Sequence, residues 1–181
     1  MNNNMRKITL GGLVIALAQV LSYVKVYEAP QGGSVTLGSM VPIILFSLIF
    51  GVKDGLLVSF TYGILQFLLG GGITIHPASI IMDYLLGFGV LGFAGLITKG
   101  EKNLTKAVIG SIFASVLRFL MLILAGATIW KAYAPEGMNP WVYSIGYNAG
   151  YMIPEIILTA IIIFFLFPRL YNEFRKAGGT R

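Results

Sequence analysis

Apolar residues in this chain come in long runs separated by short breaks rich in glycine, proline or basic side chains. Five runs, 8–26, 55–72, 77–98, 107–129 and 143–167, approach or exceed the roughly 20 residues that a membrane-spanning helix needs. A sixth, 36–50, is shorter and carries Pro42. The pattern predicts an all-α integral membrane protein with six transmembrane helices in a single domain over residues 1–181. The start, "MRKITLGGLVIALAQ", has the basic opening, apolar core and small-residue "ALA" of a secretion signal. Its apolar run continues through "VLSYV", so it is read as the first helix. Six helices put both termini on one side.

Composition strengthens this picture. Hydrophobic residues make up 56% of the chain and charged ones 11%, against about 25% charged in a soluble domain. There is no cysteine and one histidine, His76, which excludes disulfides, thiolate chemistry and histidine metal clusters. Charge then sets orientation. Arg6, Lys7, Lys53, Lys99, Lys102, Lys106, Arg169, Arg175, Lys176 and Arg181 fall in segments on the terminal side, whereas only Lys25 and Lys131 fall on the other. The positive-inside rule therefore places both termini in the cytoplasm. The sequence has no phosphate-binding Walker loop, metalloprotease pair or serine-elbow motif, so neither ATP hydrolysis nor an enzymatic role is expected.

Three ionisable residues interrupt the apolar runs: Asp83, Arg118 and Glu155. Each costs about 2.5–3.5 kcal/mol at a helix centre, so such groups face a cavity or one another. At 1.5 Å per residue they lie roughly 10–18 Å below the outer helix ends, at comparable depth. Two acids and one base leave a carboxylate without a counter-charge. One reading is a pocket for a small cationic ligand; the other is an Arg–carboxylate pair that stabilises the bundle. Tyr84 adjoins Asp83, and Trp130, Tyr143, Tyr147 and Asn148 lie at the outer ends of the fifth and sixth helices, which favours a cation pocket, since aromatic faces hold organic cations. Tyr147 and Tyr151 are read as packing residues. The outer loops 27–35 and 70–75 are glycine-rich and are expected to flank the pocket. On the first helix Gly12 and Ala16 form a small-xxx-small pair that admits a close helix partner.

Several stretches together resemble one family. They are "PQGGSV" after the first helix, "GVKDGL" between the second and third, "HP" and "DY" opening the fourth, and the block from Arg118 to Pro154 containing "YAPEGMNPWVYS" and "YNAGYMIP". The chain resembles the thiamine-specific substrate-binding (S) component of energy-coupling factor (ECF) vitamin transporters. The resemblance implies the six-helix S-component fold in a bacterial cytoplasmic membrane, with a vitamin pocket near the outer surface and no cofactor. It implies partnership with a transmembrane coupling (T) protein and two cytoplasmic ATP-binding subunits, reached through Gly12 and Ala16, and toppling of the subunit during transport. It also implies that thiamine's cation meets Asp83 beside Tyr84, that Trp130 stacks on a ring, and that Tyr143 and Asn148 hold the pyrimidine. Arg118 would orient Asp83 or face the hydroxyethyl end; Gly126, and Glu155 although the family pattern does not match it, are candidates to support these contacts from behind. The chain departs from the family in having Leu122 in place of a histidine, no tryptophan in its first outer loop, and Glu155. An S component for riboflavin, another vitamin or the pyrimidine precursor of thiamine is the alternative. A structural membrane protein with Arg118 paired to the acids is the reading from another class.

Overall fold

The computed structural model describes residues 3–70 and 76–179. Six helices are present among them: α1 (Asn3–Ser22), α2 (Val41–Phe50), α3 (Val52–Leu69), α4 (Pro77–Thr98), α5 (Leu104–Thr128) and α6 (Pro140–Ala177). Five are long and apolar enough to cross a membrane. The exception, α2, rises only about 15 Å over its ten residues. Its residues Val41 to Ile49 are all buried, so it serves as the bundle's central core rather than a lipid-facing span.

Helix ends differ from the apolar runs for local reasons. The first helix stops at Ser22, and the remaining apolar residues enter a β-hairpin that the sequence did not reveal. Its strands, β1 (Lys25–Glu28) and β2 (Ser34–Thr36), are antiparallel, pairing Lys25 with Thr36 and Glu28 with Ser34. The turn needs glycine, since Gly32 and Gly33 have φ of 91° and 88°. At Gly33 a Cβ would also lie 2.6 Å from the ring of Tyr151. The run 36–50 therefore divides: its first residues finish the hairpin, and Pro42 sits in the first turn of α2, where a missing N–H costs nothing. At the other extreme α6 continues to Ala177, about 57 Å over 38 residues. The hydrocarbon core is only about 30 Å thick, so the basic end of α6 extends beyond it.

Glycines bring α4 against its neighbours. At Gly95 a Cβ would lie 2.6 Å from backbone atoms of Ser47, Gly51 and Val52, and at Gly92 one would lie 2.6 Å from Leu56 N and Cα. Ser47 completes the contact: its Oγ donates to the Gly92 carbonyl at 2.5 Å and accepts from Gly95 N at 3.0 Å. Small residues of this kind replace the hydrophobic effect as the means of helix association in lipid.

The end of the bundle opposite the hairpin gathers the basic residues. There Lys7 Nζ pairs with Asp54 at 2.8 Å, and Tyr171 Oη donates to the Gly100 carbonyl at 2.6 Å. This arrangement agrees with the charge-based expectation of cytoplasmic ends.

Candidate functional site

A cavity of about 440 Å³ lies beneath the hairpin, walled by α3 to α6, with Ser22 at the end of α1 and Ser39 and Met40 just before α2. Small-molecule sites commonly occupy about 300–1,000 Å³. Asp83, Tyr84, Arg118 and Trp130 line it, and so do Gly126, Tyr143, Asn148 and Glu155. The outer loop 27–35 contributes Gln31 to Ser34. Of the second expected loop, 70–75, residues 71–75 lie outside the described residues.

Local backbone geometry gives α4 its cavity face. Residues Ile80–Leu86 form a π-helical wide turn, followed by a tight 3₁₀ stretch at Val90–Ala94. Ser79, Asp83, Tyr84 and Phe88 all reach the cavity. Asp83 Oδ2 accepts from the Trp130 indole Nε1 at 2.9 Å and from the Ser79 hydroxyl. Its Oδ1 has no hydrogen-bond partner among the described residues. A carboxylate two turns into the membrane is thus fixed by two donors, with one oxygen left over.

The three intramembrane charges do share one cavity wall, but they do not pair. No ion pair joins Arg118 to either acid among the described residues. The Arg118 guanidinium lies over the Phe88 ring, 3.5 Å from its centroid, and its Nη1 is buried without a hydrogen-bond partner. Glu155 is committed elsewhere. Its Oε2 accepts from Thr36 N at 2.8 Å and its Oε1 from Thr36 Oγ1 at 2.7 Å, while Ser39 N donates to Thr36 Oγ1 at 3.1 Å. The acid absent from the family pattern therefore anchors the root of the hairpin to α6.

Tyr147 and Tyr151, read from sequence as packing residues, are part of the site. Tyr147 Oη donates to the Gly32 carbonyl at 2.6 Å and accepts from Gln31 N at 2.9 Å, holding the hairpin tip. Tyr151 is buried and donates to Asn148 Oδ1. Asn148 Nδ2 in turn donates to the Ser144 carbonyl at 2.8 Å, so much of its bonding capacity is met within the protein. The i, i+4 spacing of these tyrosines was visible, but it does not distinguish a lipid face from a cavity face. Tyr143 stacks on Tyr147 with centroids 5.9 Å apart. Leu122 adds an apolar side chain to the wall. At Gly126 a Cβ would collide with the Ser144 hydroxyl, so glycine is what lets α5 and α6 close here. Further residues that sequence reasoning missed are Tyr62 and Gln66, joined by a 2.8 Å bond from Gln66 Nε2 to Tyr62 Oη. Gly12 and Ala16 lie far from this chemistry, exposed on α1, with nothing within 4 Å of a Cβ at Gly12. No cluster of three or more metal-ligating side chains occurs among the described residues.

The hairpin clasp makes a testable difference. Tyr147→Phe removes the acceptor for Gln31 N and the donor to Gly32, a net loss of about 1 kcal/mol. Amide exchange at Gln31 in detergent is expected to accelerate roughly fivefold, with α2 amides unchanged.

Fold and cavity define a multi-pass helical membrane protein with a small-molecule chamber at one end. The family described as "Thiamine transporter protein (Thia_YuaJ)" matches residues 8–174. A thiamine transporter ThiT of Bacillus subtilis (strain 168) is 35% identical over 157 residues, covering 80% of this chain and 81% of that protein. A second ThiT, from Lacticaseibacillus paracasei, is 27% identical over 164 residues, covering 83% and 81%. The chain belongs to the thiamine transporter protein family, whose role is transport rather than catalysis. A solved structure of ThiT from Listeria monocytogenes superposes with a TM-score of 0.80 at 24% identity, covering 98% of this chain and 99% of that one. Another, described as the S component of a bacterial ECF transporter, gives 0.65 at 21% identity, covering 93% and 97%. The six-helix fold is therefore the one those structures share.

Proposed function

We propose that this protein is the thiamine-binding S component of an ECF importer, taking thiamine from outside and delivering it inward. The observation that carries the reading is Asp83, a carboxylate held against Trp130 on the cavity wall with one oxygen unengaged among the described residues. Thiamine has a fixed cationic thiazolium and a hydrogen-bonding aminopyrimidine. The cation supplies the charge that Asp83 lacks, and the Trp130 indole gives a ring face beside it. Tyr84 borders that position, while Tyr143 and Asn148 bound the pyrimidine side. Arg118, without an acid of its own, faces the hydroxyethyl end. Its unsatisfied Nη1 suits an oxygen acceptor.

Delivery requires the coupling T protein and two ATP-binding subunits, because this chain has no phosphate-binding loop. The exposed Gly12 and Ala16 on α1 give a T protein's helix room to approach. One observation favours a second ligand: Leu122 makes one wall apolar where the family resemblance places a histidine. A smaller molecule such as the free pyrimidine precursor would lose less there than thiamine.

Tryptophan fluorescence decides between them. Trp130 lines the cavity and the only other tryptophan, Trp141, is 48% exposed. Titrating the detergent-purified protein with thiamine is expected to give saturable quenching. A flat response to thiamine with quenching by the pyrimidine would transfer the specificity to the precursor, and a flat response to both would sink the reading.

A further inference from the structure

We infer that the π-helical turn at Ile80–Leu86 is a binding device: the residue it adds to α4 swings Asp83 onto the cavity wall and against Trp130. The inference rests on the cavity being the ligand site. Its first support is the spacing of the wall residues. Ser79, Asp83, Tyr84 and Phe88 all line the cavity, so two turns of this helix consume nine residues. Two turns of an α-helix take about 7.2. On an α-helix Asp83 and Phe88, five apart, would lie about 140° apart around the axis, whereas Tyr84 and Phe88, four apart, would stay together. Only the wide turn lets the carboxylate join the tyrosine and the phenylalanine on one face.

A second support is that the turn buries no side chain fully. None of its seven residues is buried, although Gly87, Phe88 and Gly89 directly after it all are. Downstream, α4 is clamped against α2 and α3 by Gly92 and Gly95, whose Cβ positions are filled by neighbouring backbone. The extra residue therefore cannot be absorbed by sliding the rest of the helix. It acts on the short piece above the clamp, where Ser79 and Asp83 bond to each other. The Tyr84 carbonyl would lie 2.6 Å from a Cβ at Gly63 on α3, so glycine there gives the widened backbone its room. Wide turns of this type weaken local hydrogen bonding and recur at functional sites. Here the local cost secures a carboxylate where the ligand's cation would lie.

Removing one residue removes the device. Ile81 is suited to this, because its side chain is 53% exposed and does not line the cavity. The experiment compares deletion of Ile81 with Ile81→Ala, both in a Trp141→Phe background that leaves Trp130 as the sole tryptophan. The deletion is expected to fold with a melting temperature no lower than that of Ile81→Ala. Its thiamine affinity should fall at least 100-fold, while Ile81→Ala binds like the parent. Without any ligand, the Trp130 indole N–H should lose its carboxylate acceptor, read as a shift in its ultraviolet resonance Raman band. A folded deletion that binds within threefold of the control, with Trp130 unchanged, overturns the inference. So does a deletion that fails to fold when Ile81→Ala folds, since the turn would then serve the helix itself. If Ile81→Ala also ignores thiamine, the ligand assignment fails, and the Trp130 band still decides what the turn does.

Discussion

Asp83→Asn is expected to weaken thiamine binding by at least about 100-fold, the equivalent of roughly 3 kcal/mol, with the apo protein remaining folded. The two halves of that expectation have different causes. Asparagine keeps the size of the side chain, and its carbonyl oxygen in the place of Asp83 Oδ2 keeps an acceptor for both the Ser79 hydroxyl and the Trp130 indole. What disappears is the charge. In the ligand-free cavity that charge has no cationic partner within ion-pairing distance among the described residues. Its removal should leave the apo melting temperature within a few degrees of the parent. With a cation bound, the same charge is worth more than in water, because the cavity walls exclude part of the screening solvent. Fluorescence titration and apo thermal melting, run on one preparation, measure the two halves. Unaltered affinity would move the cation away from Asp83 and favour a neutral ligand. A collapsed apo protein would make Asp83 a structural residue.

Gly92→Ala is expected to be strongly destabilising. Its Cβ would lie 2.6 Å from Leu56 N and Cα and 2.8 Å from the Gly55 carbonyl carbon. These are backbone atoms of α3, which no rotamer change can move aside. Relief requires separating α3 from α4, which would also pull the Gly92 carbonyl from the Ser47 hydroxyl. Overpacking of this kind costs about 3 kcal/mol, or roughly 6–12 °C in melting temperature for a chain of this size. Gly12→Ala is the internal control. It meets nothing within 4 Å, so the isolated protein should melt as the parent does. If Gly92→Ala melts like Gly12→Ala, the close α3–α4 packing is not what holds the bundle.

Much of this protein is legible in its amino-acid sequence. The lipid solvent accounts for that: a chain that must satisfy its backbone in hydrocarbon runs as helices unless it closes a barrel, and helices declare themselves as long apolar runs. Charge placement orients the ends, because basic residues are retained on the cytoplasmic side. Asp83, Arg118 and Glu155 stand out because ionised groups are costly in lipid, and all three do line one cavity. The family resemblance then supplies candidates such as Trp130 and Tyr143 that hydrophobicity alone does not single out.

What the sequence left open was decided by contacts between distant segments. Glu155 and Thr36 are 119 positions apart, and Tyr147 and Gln31 are 116 apart. No local pattern shows that a hairpin folds over the cavity or that α6 clasps it at both ends. Whether Arg118 pairs with a carboxylate was likewise decided in three dimensions, and among the described residues it does not. Arg118 lies on Phe88, and Glu155 is taken by Thr36. Nor could an apolar run disclose a π-helical turn, because the side-chain pattern that identifies a spanning helix says nothing about how many residues each turn contains. By itself the sequence determined the solvent, the helices and the cost of each buried charge. Only the tertiary structure decided which partner each charge takes, because that depends on close backbone approaches made by glycines far apart in the chain.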